Sequence, residues 1–128
     1  MEILKPIENK TNFEQARSFT KDKSILNGFN KLSEPICNKK NYCKNVLFEN
    51  TLKADIYLSY PLKTVVHDTI VFNSLYDILK SIKNIYISIY KNPNLYGIWG
   101  HSIYDLIIES ITIYKGNEQP VISVGIGS

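Results

Sequence analysis

The chain predicts an α+β domain: a mostly antiparallel sheet packed against one long helix, with a C-terminal β-hairpin. Three observations carry that prediction. Leu75, Ile78, Leu79, Ile82, Tyr86 and Ile89 recur at three- and four-residue steps, the period of a helix with one buried face. Two stretches, 55–60 and 106–114, alternate with period two, as strands with one buried face do. The connections are short, which favours antiparallel neighbours. At 128 residues this is one domain, long enough to bury a core without disulfides or metals.

Taken in order, residues 1–45 are polar and broken by Gly28, Pro35 and the turn-forming run Asn38-Lys39-Lys40-Asn41. Short elements are expected at Asn12–Phe19 and Ser24–Phe29. Strands are expected at Val46–Glu49 and Asp55–Tyr60. In the second, Ile56, Leu58 and Tyr60 share one face and Asp55, Tyr57 and Ser59 the other, and Pro61 closes the run. Thr64–His67 reads as a further short extended piece. The helix is expected from Asp68 or Asn73 to Lys91. Either residue suits an N-cap, Lys91 suits the negative end of the dipole, and Pro93 forbids continuation. In 106–114, Ile107, Glu109, Ile111 and Ile113 oppose Leu106, Ile108, Ser110 and Thr112. Lys115-Gly116-Asn117 supplies a turn, and Pro120–Ile126 returns as the second arm of the hairpin.

Composition narrows the function. The hydrophobic content of 44% is that of a folded globule, and the nine Tyr suit half-buried surfaces and interfaces. The net charge is +3, divided as +4 over residues 1–47 (nine basic, five acidic) and −1 over residues 48–128 (six basic, seven acidic). Fourteen of the fifteen basic residues are Lys and only Arg17 is Arg, which speaks against a nucleic-acid partner, because Arg supplies the bidentate fork for phosphate and guanine. The start, MEILKPIENK, lacks the pattern of a secretory signal, and no apolar run has the length to span a membrane. A cytoplasmic protein with no membrane partner is the expectation. Cys37 and Cys43, spaced C-x5-C, fit no common zinc or redox motif and read as free thiols. A disulfide, or a metal site joining them to His67 and His101, is the alternative.

The chemistry-bearing residues crowd into one seam, Asn92–Glu109, between the helix pattern and the strand pattern. His101, Asp105 and Glu109 form H-x3-D-x3-E, a spacing that shares a face on a helix and also on a strand. Imidazole with two carboxylates binds metals or runs acid–base chemistry. On a strand, however, Glu109 would lie roughly 27 Å from His101 at about 3.4 Å per residue, beyond one coordination sphere. His67-Asp68 is a second His–carboxylate pair, but strand neighbours point apart. No nucleophile elbow, phosphate-cradling loop or Cys–His signature is present, so neither an enzyme nor a cofactor is expected. Tyr96, Trp99 and Tyr104 form an aromatic cluster suited equally to plugging the core and to anchoring a partner.

The stretch LYGIWGHSIYDLIIESITIY, with SLYDILKSI and IYKNP before it, resembles small bacterial immunity proteins. These accompany polymorphic toxins, including those of contact-dependent growth inhibition. The resemblance rests on Tyr96, Gly97, Trp99, Gly100, His101, Asp105, Leu106 and Glu109 and covers the C-terminal half only. It implies a protein that binds a cognate toxin domain and occludes its active site, with no chemistry of its own. Tyr96, Trp99, His101, Tyr104, Asp105 and Glu109 would then meet the partner. Opposite charge speeds such associations, so +3 points to an acidic or neutral toxin, or to a binding face in the −1 half. A phage-encoded inhibitor of a host defence protein fits the size and the Tyr content equally. A small enzyme would need His101, Asp105 and Glu109 gathered in one pocket.

Overall fold

The computed structural model describes residues 2–3, 14–20, 30–32, 47–115 and 119–128. They form a mixed sheet beside one α-helix. The strands are β1 (Glu2–Ile3), β2 (Glu14–Thr20), β3 (Asn30–Lys31), β4 (Leu47–Leu58), β5 (Val66–Ser74), β6 (Ile107–Lys115) and β7 (Val121–Gly127). The helix α1 spans Leu75–Ile89, and a single 3-10 turn covers Ile103–Asp105. The strand order is β1-β5-β4-β7-β6-β2, with β3 sharing the outer side of β6. The α+β class is therefore as expected. The sheet is mixed because β7 inserts between β4 and β6 and pairs parallel with β4, while the other pairings are antiparallel. β6 and β7 pair antiparallel; of the turn expected between them Lys115 ends β6, while Gly116 and Asn117, together with Ser24–Phe29, Cys37 and Cys43, lie outside the described residues.

The helix forms where its apolar stripe begins. No Gly or Pro interrupts residues 75–89, and Leu75, Ile78, Leu79, Ile82, Tyr86 and Ile89 are buried as the period requires. Each such side chain taken out of water contributes about 1.5–3 kcal/mol before the entropy of ordering it. The start differs from both expected positions. Ser74 is the N-cap, its Oγ accepting the Asp77 N–H at 3.2 Å, and residues 68–74 belong to a strand instead. The run Thr69-Ile70-Val71-Phe72 is β-branched and aromatic, and pairing with β4 buries Ile70 and Phe72. At the far end Tyr90 is the C-cap, and Pro93 follows in the next turn.

Two other differences have one cause, a break in strand register. The separate strands expected at 46–49 and 55–60 are one strand, β4, whose pairing with β5 slips between Leu47 and Leu52. In β6 the strict alternation fails at Glu109, where the pairing with β7 shifts between Ile108 and Ser110. The extra residue puts Ile108 on the same face as Ile111 and Ile113, and all three are buried. These join Ala54, Ile56 and Leu58 of β4, Val66, Ile70 and Phe72 of β5, and Ile122 of β7 in one continuous core with the helix stripe. Tyr60, expected to share the inner face of Ile56 and Leu58, lies beyond the strand end and is exposed. Lys83 is buried on α1 and donates its Nζ–H to the Lys31 carbonyl, and Leu32 N–H donates to the Leu106 carbonyl at 3.0 Å. Together these bonds hold the short β3 segment against the helix and the start of β6.

Candidate functional site

The seam after α1 is built from the backbone outward. Pro93 stops the helix, and residues 92–98 then wind through four turn bonds: Leu95 N–H to Asn92 O, Tyr96 N–H and Ile98 N–H to Pro93 O, and Gly97 N–H to Asn94 O. Gly97 has φ +69, and a Cβ there would sit 2.7 Å from Lys63 Cβ, so the glycine lets this loop lie against the β4–β5 loop. Lys63 N–H donates to the Tyr96 carbonyl at 3.1 Å and ties the two loops together. Tyr96 itself is only 9% exposed and belongs to the core.

Two further tyrosines tie the helix to its surroundings, Tyr86 to the β4–β5 connection and Tyr90 to the seam. Tyr86 is fully buried and donates its hydroxyl to the Tyr60 carbonyl at 2.6 Å; burial pushes this phenol far above its usual pKa. Tyr90 donates to the His101 carbonyl at 3.0 Å, and its pKa is raised by burial and by the nearby Tyr60 and Asp105. Both phenols therefore stay protonated donors through the neutral range. The Tyr60 hydroxyl lies 2.7 Å from Ser128 Oγ and, at the long limit, 3.4 Å from His101 Nδ1, with the two rings edge to face.

The six residues expected to meet a partner separate into layers. Trp99 is 83% exposed and Tyr104 72% exposed; Asp105 is exposed, His101 half-buried against Tyr60, and Tyr96 inside. Trp99 is thus no plug between helix and sheet; Tyr86 and Tyr96 belong to the core and Tyr90 packs against it. Glu109 sits at the β6 bulge over Gly127, where an added Cβ would meet its carboxylate. His101, Asp105 and Glu109 consequently turn to different neighbours, and no group of three His, Cys, Asp or Glu suited to a metal occurs among the described residues. The physical reason is the 3-10 turn at Ile103–Asp105, which ends either regular spacing that would have aligned them.

The seam also forms an open groove that the sequence reading missed. Ile87, Tyr90, Lys91, Ile103 and Tyr104 line a groove of about 260 Å³ between the end of α1 and the 3-10 turn. Ile87 is 47% exposed on α1, off the buried stripe, and that offset is the signal that would have found it. Leu95, in the same connection, is exposed as well.

A second polar cluster lies on β4 and β5. His67 Nε2–H donates to Asp55 Oδ1 at 2.7 Å, and the Tyr57 ring is tilted over His67 at 5.0 Å. Burial alone would raise the Asp55 carboxyl. Hydrogen bonds from His67, Gln119 and Thr69, with the charge of His67, hold it below its usual value. The partner of His67 is therefore Asp55, two residues along the facing strand from Tyr57, and not its neighbour Asp68. Asp68 instead accepts the Thr69 N–H at 2.8 Å. The cluster holds a His–carboxylate pair with no Ser, Cys or Thr nucleophile bonded to the imidazole among the described residues, and its geometry is that of a cross-strand tie.

No helix among the described residues is long and apolar enough to cross a membrane. Comparison with models of known protein families, with curated proteins and with solved structures finds no match for this chain.

Proposed function

We propose that this protein is a binding protein of the immunity type, which neutralises a cognate bacterial toxin domain by occluding its active site. The observation that carries the reading is the exposure of Trp99 on a loop tied down on both sides, by Lys63 N–H at the Tyr96 carbonyl and by the Tyr90 hydroxyl at the His101 carbonyl. Tryptophan presents a large apolar surface, so an exposed Trp gives a partner more area to bury than other side chains do. Trp and Tyr are the commonest energetic anchors of protein interfaces, and Trp99 and Tyr104, two residues before and three after His101 in the chain, are both exposed. The groove beside Tyr104 offers an apolar slot for a partner side chain, with Lys91 at its rim. Trp99, Tyr104, His101 and Asp105 form the contact surface in this reading. Tyr96 supports them from the core, and Glu109 stands at the margin over Gly127.

The test is affinity capture with mass spectrometry from the source organism, using the wild-type chain and a Trp99→Ala/Tyr104→Ala variant. The reading expects one toxin-like domain at near-equal stoichiometry with wild type and its loss with the variant. Capture of no protein, with a bound small molecule in its place, overturns it.

A further inference from the structure

Among the described residues the sheet ends in β2 and β3 beside β6 on one side and in the two-residue β1 beside β5 on the other. The outer side of β6 is paired with β2 and β3. The outer side of β5 is paired, among the described residues, only at Val66 and His67, by β1. Asp55 N–H donates to the Pro120 carbonyl, so the odd residues of β4 turn their backbone groups toward β7 and the even ones toward β5. In the β4–β5 register Ile56 faces Asp68 and Ala54 faces Ile70. The even residues of β5 therefore bond to β4, and Thr69, Val71 and Asn73 aim their N–H and C=O groups outward. Such a row is a template for another strand.

Two of its three outward N–H groups are already taken. Thr69 N–H donates to Asp68 Oδ1 at 2.8 Å, and Asn73 N–H donates to Asp77 Oδ2 at 3.0 Å. Val71 stands between them, 61% exposed. We propose that Asp68 and Asp77 keep the outer edge of β5 closed to strand addition, and that the strand they exclude is the same edge of a second copy of this chain. The edge is complementary to itself: an antiparallel partner centred on Val71 sets Thr69 against Asn73 of the second copy, so a two-fold pairing satisfies the same groups on both sides. Forming it requires both carboxylates to release the N–H groups they hold. It also brings a pair of aspartates from each chain to one seam, where like charges repel.

The test is sedimentation velocity on wild type, Asp68→Ala/Asp77→Ala, and that double variant with Val71→Lys added. Wild type is expected to sediment as a monomer on this edge. The double variant should self-associate at least tenfold more tightly, and Val71→Lys should reverse the association by placing two ammonium groups face to face. A double variant that keeps its circular dichroism and sediments as wild type overturns the proposal, as does association that Val71→Lys leaves unchanged. Amide hydrogen exchange of the wild type provides a reading that needs no variant. Thr69 and Asn73 should exchange slowly and Val71 fast; equal protection at Val71 would mean that the edge is already occupied and would overturn the proposal as well.

Discussion

Replacing Tyr86 by Phe isolates the bond that ties the helix to the β4–β5 connection beside the seam. The ring is fully buried and stays in place, so no cavity opens and the apolar transfer term cancels. What is lost is the 2.6 Å hydrogen bond to the Tyr60 carbonyl, and that half-buried carbonyl is left without this donor. A typical intramolecular hydrogen bond contributes about 1 kcal/mol, and an orphaned buried acceptor adds to the loss, so the variant should be less stable by about 1–2 kcal/mol. In a domain of this size that corresponds to a fall in Tm of roughly 4–8 °C. Urea denaturation followed by circular dichroism reads it as a lower midpoint with unchanged slope. A pH series adds a signature. The folded Tyr86 pKa is raised, so its contribution is complete below the usual tyrosine value near 10 and is lost as pH rises toward the folded value. The gap between wild type and Tyr86→Phe should therefore be constant at neutral pH and shrink in strong alkali. Tyr104→Phe, at an exposed hydroxyl, should change stability by less than about 0.5 kcal/mol. Equal midpoints for Tyr86→Phe and wild type would refute the assignment of this tie.

Other outcomes follow from single contacts. Gly97→Ala should cost about 1–3 kcal/mol, because a left-handed backbone and a 2.7 Å approach to Lys63 Cβ act together. Gly100→Ala has φ +75 but open space around it, so thermal melts should show the smaller loss of the two, about 1 kcal/mol. Ser74→Ala removes the N-cap of α1 and should lower stability by about 1 kcal/mol, visible in the urea midpoint. Asp55→Asn should destabilise at neutral pH by about 1 kcal/mol, a modest figure because the pair is partly screened by solvent. The folded Asp55 pKa is lowered, so this stability is present above the ordinary carboxylate value and is lost as pH falls through the folded one. Wild-type and Asp55→Asn denaturation midpoints should accordingly converge in acid.

The helix was legible because fifteen residues repeat one apolar period, and a signal of that length survives local noise. Its start was not, because Asp68 and Asn73 have cap chemistry whether or not a helix follows, and only pairing with β4 decides that residues 68–74 are strand. The same pairing hid the His67–Asp55 tie. Once 66–74 is a strand folded back on β4 about Leu62, Tyr57 faces His67 and Asp55 comes within reach; along the sequence alone, His67 has only Asp68 beside it. The Glu109 bulge is a non-local event, set by what β7 offers opposite, so alternation along the strand could not reveal it. In the seam the residue types were legible and their depth was not. Tyr96 and Trp99 are both large aromatics three residues apart, and the turn begun by Pro93 sends one inward and leaves the other in water.

Trp99 is the only tryptophan of the chain, so its fluorescence reports directly on the surface on which the proposed function rests. The most direct measurement is its emission maximum and its quenching by iodide, in the free protein and with the captured partner. The account predicts red-shifted emission and quenching close to that of free tryptophan in the unbound protein, with a blue shift and protection on binding. Blue-shifted emission shielded from iodide in the free protein would contradict it, because Trp99 would then be packed against the protein and unavailable as an anchor.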